Sequence, residues 1–213
     1  MTINQSNLSL ITTEIKKFEK ADLLIVSKNQ TQASIQALID KGFFLFGENR
    51  IQEASIKFDE KLKNQYKNLK LHLIGPLQSN KTKLALQIFD TIQTIDRKKI
   101  IDTIVETQKK LNNIRTKSFF IQINIGREPQ KSGIMPEQFS DIYDYAISNN
   151  LSIKGIMCIP PNDAKPEHYF EEMRNIKNKI NPNLYLSMGM SKDYLTALKY
   201  GANLIRVGSK IFS

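Results

Sequence analysis

The sequence predicts an α/β fold: a single (β/α)8 barrel of the TIM type with an extra N-terminal helix. Three observations lead there. Short apolar or β-branched runs alternate with amphipathic segments from 23–26 through to 204–207, the pattern of a parallel sheet whose strands are joined by helices. Polar and glycine residues collect just after those runs, where parallel α/β folds gather their chemistry. An amphipathic stretch over 3–20, with Leu8, Ile11, Ile15 and Phe18 at helical spacing, precedes the first run. The sequence stops soon after the eighth run, so this first helix is expected to pack outside the barrel where an eighth helix would lie. Residues 1–213 are expected to form one domain, with no linker or low-complexity tract.

Taken in order, Leu23-Leu24-Ile25-Val26 is too short for a helix and suits a buried strand. Thr31 caps a helix over 32–41, which Gly42 stops. Strand two is 43–46, followed by a helix over 51–66. Strand three is 71–74, ending in Gly75-Pro76, and Asn80 caps a helix to 89. Strand four is 91–95, and Asp96 caps a helix to 111. Strand five, 118–125, is rich in β-branched and aromatic residues. A loop over 126–133 leads to a helix over 136–148, with Pro136 in its first turn. Strand six is 153–159, closed by Pro160-Pro161, and a helix covers 166–179. Strand seven begins at 184–187 and ends in Met188-Gly189-Met190-Ser191. A helix over 193–200 precedes strand eight, 204–207.

The composition, 40% hydrophobic and 24% charged, suits a soluble globular protein. No apolar run approaches the ~20 residues of a membrane helix, and the polar N-terminus lacks a signal-peptide core. The single cysteine, Cys158, cannot form an internal disulfide and fits a reducing cytoplasm. A net charge of +10 would suit nucleic acid or an anionic small ligand. The lysines are spread along the chain, without an arginine-rich arm or a DNA-binding motif, so nucleic acid is not expected as a partner. The densest group, Lys61, Lys63, Lys67 and Lys70, reads as one solvated helix end and its loop.

Lys28 stands where strand one ends. Taken alone it is as consistent with a solvated surface lysine. Asn49, Gly75-Pro76, Asn124, the 187–191 segment and Gly208-Ser209 stand at the other strand ends. Gly189-Met190-Ser191 before a helix start suits one half of a phosphate cradle and Gly208-Ser209 the other, since barrel phosphate sites favour the loops after strands seven and eight. Arg206 lies inside a strand, where a buried guanidinium needs a partner. A ligand's ring nitrogen, a ligand carboxylate and an internal salt bridge all remain open. His72 reads as a hydrogen-bonded core histidine and Cys158 as a small buried hydrophobe. No metal-ligand spacing appears. A lysine facing a phosphate cradle across the first and last strands suggests a Schiff base to pyridoxal 5′-phosphate, with an arginine at the pyridine nitrogen.

The motifs Val26-Ser27-Lys28, Phe46-Gly47-Glu48-Asn49, the run from His72 through Gly75-Pro76 to Lys81, Lys131-Ser132-Gly133, Leu186-Ser187-Met188-Gly189-Met190-Ser191 and Arg206-Val207-Gly208-Ser209-Lys210-Ile211-Phe212 resemble the pyridoxal-phosphate homeostasis protein family over nearly the whole chain. The resemblance implies a barrel like the N-terminal domain of alanine racemase, with pyridoxal 5′-phosphate carried on Lys28 as an internal aldimine. It implies that Ser187, Gly189, Met190, Gly208 and Ser209 hold the phosphate, with Asn49 and Arg206 near the ring. Ser209 stands where the family usually has threonine and keeps the hydroxyl. The loop around Asn112-Asn113 is shorter than usual and should not touch the site. Lys81 and Lys131 are candidates for holding a second cofactor molecule.

Two functions are weighed. One is a monomeric, cytoplasmic carrier that buffers or delivers pyridoxal 5′-phosphate, with apo enzymes among its partners and no substantial turnover. The other is an amino-acid racemase or decarboxylase of the alanine-racemase barrel type. A racemase needs a proton-transfer group on each face of its substrate. Lys28 could be one, but no second domain is expected to supply the other. Arg206 would also keep the ring nitrogen unprotonated, weakening it as an electron sink. Both points favour the carrier.

Overall fold

The computed structural model describes residues 2–162 and 165–212. Its strands are β1 (Asp22–Val26), β2 (Leu45–Glu48), β3 (Lys70–Leu73), β4 (Thr91–Ile95), β5 (Ser118–Ile123), β6 (Ile153–Cys158), β7 (Tyr185–Ser187) and β8 (Leu204–Val207). Each pairs in parallel with the next, and β8 returns to β1 through Leu24 opposite Arg206, closing the barrel. The helices are α1 (Gln5–Ile15), α2 (Gln32–Ile39), α3 (Ile51–Lys57), α4 (Glu60–Gln65), α5 (Thr82–Ile88), α6 (Lys98–Lys110), α7 (Phe139–Ser148), α8 (Glu167–Ile180) and α9 (Tyr194–Lys199). Buried faces such as Ile35, Leu38 and Ile39 of α2 and Ile100, Ile101 and Ile104 of α6 hold the helices to the barrel. Full burial of one such side chain stabilises the fold by roughly 1.5–3 kcal/mol.

α1 does take the outside position. Leu8, Ile11 and Ile15 are buried, and the Asn4 N–H donates to Ile211 O at 2.8 Å. Asn7 Nδ2 reaches Lys210 O at 2.9 Å, so the first helix is laced to the segment after β8. It ends at Ile15 rather than near 20, because the chain tightens into turns that bring Ala21 back under β1.

Other local expectations are corrected. Strand two starts at Leu45, because Gly42 adopts a positive φ of 86° and the turn consumes Phe43, whose N–H bonds back to Leu38. The helix expected over 51–66 is two helices. Phe58 leaves the helical conformation to stack on Phe46, with ring centroids 5.5 Å apart. Asp59 then starts α4 by accepting from the Leu62 N–H at 2.8 Å. Asn80 lies inside a single 3-10 turn, Ser79–Lys81, and caps nothing. Pro136 opens another such turn, Pro136–Gln138. Asp96 does not cap α6; its side chain pairs with Arg97. Lys63 is half-buried rather than fully solvated: its ammonium donates to Ile88 O at 3.2 Å, and burial pulls its pKa down to about 8.

Candidate functional site

The carboxyl ends of the strands open into two adjoining cavities. One, of about 750 Å³, is bordered by Lys28, Met190, Ser191, Arg206, Gly208 and Ser209. The other, of about 420 Å³, extends past Asn49, Gly75, Pro76 and Gln122. Lys28, Lys131, Met190 and Arg206 border both. Among the described residues around the larger cavity, the cations Lys28, Lys131, Lys192 and Arg206 stand against two carboxylates, Glu167 and Asp193. That balance favours an anion.

Local chemistry places each group. The apolar residues of β1 drive it into the sheet, and Lys28 emerges two residues past its end, exposed at the mouth. Asn49 follows β2 in the same way. The hydroxyls of Ser191 and Ser209, one after β7 and one after β8, lie 2.9 Å apart and hydrogen-bonded. Gly189 has a φ of 89°, and a Cβ there would meet Ala197 Cβ at 2.5 Å, so it seats α9 under the loop. Asp193 closes that loop by accepting from the Met190 N–H at 2.6 Å. Gly208 is constrained by space: a Cβ would come within 2.9 Å of Val26 O, so the β8–β1 seam beside Lys28 tolerates no side chain.

Arg206, 3% exposed, finds its partners without any internal salt bridge among the described residues. Nη1 donates to Ser187 Oγ at 2.9 Å and Nη2 to Cys158 O at 2.7 Å. Burial pulls its pKa down from the usual value, and a guanidinium remains a donor-only cation all the same. Beneath it runs a polar chain along the barrel axis. Ser187 Oγ donates to Gln93 Oε1 at 2.6 Å, and Gln93 Nε2 lies 2.8 Å from His72 Nδ1. Because the Gln93 oxygen is taken by Ser187, its amide nitrogen faces His72, whose Nδ1 is therefore the acceptor. Burial pushes the His72 pKa down to about 4, so the ring is neutral.

Of the residues singled out from the sequence, Lys28, Asn49, Met190, Ser191, Arg206, Gly208 and Ser209 come together at the cavities. Ser187 and Gly189 do not border them. Ser187 is fully buried with its hydroxyl committed to Gln93 and Arg206, and Gly189 lies against α9. Lys131 borders both cavities, whereas Lys81 borders neither and lines an adjoining space of about 240 Å³ that shares Asn49 and Pro76 with the smaller one. Cys158 is fully buried and its thiol pushed up to about 12, the inert case. No cluster of potential metal ligands occurs among the described residues. Gln93 and Gln122 were missed. Their one signal is a polar residue interrupting an apolar strand at a position that turns inward.

The groups present fit pyridoxal 5′-phosphate: an amine at the mouth, a donor-only guanidinium suited to a ring nitrogen, paired hydroxyls and an excess of cations. The closed eight-stranded parallel barrel defines a (β/α)8 fold of the kind found in alanine racemases. The alanine racemase of Clostridium difficile 630 shares the fold with a TM-score of 0.73 over 98% of this chain and 56% of that one, at 15% identity, a likeness of fold alone. The chain belongs to the pyridoxal phosphate homeostasis protein family. It is 38% identical over 227 residues to the protein of that name from Haemophilus influenzae, covering 98% of this chain and 94% of that protein. With the one from Pasteurella multocida it shares 39% over 228 residues, 98% of this chain and 93% of that protein. Among solved structures it is similar to PipY of Synechococcus elongatus PCC7942 with PLP bound: TM-score 0.84 and 29% identity over 98% of this chain and 99% of that one. No family model matches the chain.

Proposed function

We propose that this protein binds pyridoxal 5′-phosphate in one barrel domain and holds it for release, as a buffer or donor in cofactor homeostasis with little turnover of its own. The observation that carries the reading is that Lys28, Arg206 and the Ser191–Ser209 pair open into one cation-rich cavity. The binding of PLP by PipY, a full-length relative in structure, supports it.

When bound, the cofactor supplies an aldehyde that condenses with amines and a ring that can draw electrons. Lys28 contributes the amine that links covalently to that aldehyde. Ser191 and Ser209 offer hydroxyls to the phosphate, with the Met190 and Gly208 backbones beside it, and the surrounding cations balance its charge. Arg206 directs N–H groups at the ring nitrogen. As a permanent donor it leaves that nitrogen unprotonated, which limits carbanion stabilisation and favours storage over turnover. Asn49 and Gln122 flank the ring side. Ser187 acts on the cofactor through Arg206, and Gly189 shapes the loop.

The carrier is read as a monomer working in the cytoplasm and passing its cofactor to apo enzymes. No helix among the described residues is long and apolar enough to cross a membrane. The test is a titration of the purified protein with pyridoxal 5′-phosphate and with pyridoxal, followed by visible absorbance. Tight saturable binding that depends on the phosphate supports the reading. Equal affinity for the two, or none, overturns it.

A further inference from the structure

Between β2 and α3 sits a group of ionisable side chains that borders none of the cavities described above. Glu48 is fully buried and Lys57 is 7% exposed. The Lys57 ammonium pairs with Glu48 and, at 2.8 Å, with Glu53. The same ammonium donates to the Ser27 carbonyl at 2.7 Å, and the Ser27 hydroxyl donates to Glu48 Oε1 at 2.7 Å. On the far side the Asn29 N–H donates to Glu53 Oε1 at 2.7 Å. The residue between Ser27 and Asn29 is Lys28. The cluster therefore grips the backbone on both sides of the lysine that opens into the cavity.

As a stability device the arrangement is poor. Desolvating a buried carboxylate and ammonium carries a penalty that the ion pair at best offsets. Glu48 Oε2 has no hydrogen-bond partner. Asn29 is held at a φ of 60°, a left-handed conformation that is uncommon without a glycine. Such groups concentrate where a fold fixes a functional geometry.

We propose that Glu48, Lys57 and Glu53 are positioning residues for Lys28, fixing the turn after β1 so that its amine meets the cofactor's aldehyde. The proposal rests on the cofactor reading above. In the step served, the Lys28 amine condenses with the aldehyde carbon, a carbon–nitrogen double bond replaces the carbon–oxygen one, and one water leaves with no change of oxidation state. A loosened turn lowers the effective concentration of the amine at the aldehyde. It leaves the phosphate contacts, which come from the loops after β7 and β8, untouched.

The test compares two ligands in wild type, Lys57→Met, Glu53→Ala and Glu53→Gln. Pyridoxal 5′-phosphate can form the covalent link. Pyridoxine 5′-phosphate has the same ring and phosphate but an alcohol in place of the aldehyde. Lys57→Met and Glu53→Ala are expected to weaken the first on the order of tenfold while the second stays within about twofold, because only the link depends on amine placement. Borohydride trapping at Lys28 should slow in step. Glu53→Gln retains an acceptor for the Asn29 N–H and should bind more tightly than Glu53→Ala. Equal weakening of both ligands, or no change in either, overturns the proposal. Where Lys57→Met fails to fold, the variants of Glu53, a partly exposed side chain, decide it. A wild type that binds neither ligand overturns the cofactor reading instead.

Discussion

Acid should loosen this barrel from its axis outward, through His72. The ring accepts a hydrogen bond from Gln93, and although the residue keeps some solvent exposure, desolvation pushes its pKa from an ordinary 6.5 to about 4. Above pH 6.5 neither the folded nor the unfolded chain protonates it, and stability is unaffected. As pH falls below 6.5 the unfolded chain takes up a proton that the folded chain refuses, so stability is lost until about pH 4. The full shift of about 2.5 units at ~1.36 kcal/mol each amounts to about 3 kcal/mol, of which about 2 kcal/mol is gone by pH 5. Glu48, whose pKa burial raises, titrates in the opposite sense, so the wild type alone does not isolate the histidine. The assay is urea unfolding of wild type and His72→Gln at pH 7, 6 and 5. Glutamine keeps an acceptor for Gln93 but does not titrate. The stability difference between the two should move in favour of the variant by about 2 kcal/mol between pH 7 and 5. A difference that stays constant over that range refutes the burial and tautomer assigned to His72.

Other outcomes follow from the same contacts. Gly208→Val places side-chain atoms against Val26 O, where even a Cβ sits at 2.9 Å. It should cost roughly 1–3 kcal/mol in thermal unfolding and weaken cofactor binding, since the clash lies beside Lys28. Ser187→Ala takes the acceptor from Arg206 Nη1 and the donor from Gln93. It should cost roughly 1–3 kcal/mol and shift the absorbance maximum of bound cofactor; an unchanged spectrum counts against the Ser187–Arg206 link. With saturating cofactor, α-deuterium exchange of a panel of amino acids should not exceed that of free pyridoxal 5′-phosphate. Exchange well above it, abolished by Lys28→Ala, restores the racemase or decarboxylase reading.

The strands were legible because each is a short apolar run punctuated by turn residues; Lys28 stood out only as a charge at a strand end opposite the glycine-rich ends, Arg206 as a charge inside a strand. The axial chain was not legible. Ser187 and Gln93 lie 94 positions apart and meet only because barrel closure turns both inward. Lys57 was not singled out from the helix expected over 51–66. Only the break at Phe58, itself missed because helical periodicity runs on past it, accompanies the turn of that ammonium towards Ser27. Asp96 had the residue type of a cap, but Arg97 captured its side chain. Lys63 had the composition of a surface position, yet Ile88 O lies within its reach. Apart from Asp96, whose partner is its own neighbour, a partner distant in sequence decided the outcome over local propensity.

The central claim is that Lys28 carries the cofactor. The most direct measurement is borohydride reduction of protein saturated with pyridoxal 5′-phosphate, followed by peptide mapping of the reduced adduct. The account predicts the label on Lys28, with the visible absorbance lost in Lys28→Ala while the variant still melts cooperatively. A label found on Lys131, Lys192 or elsewhere, with Lys28 unmodified and the Lys28→Ala spectrum unchanged, would contradict it.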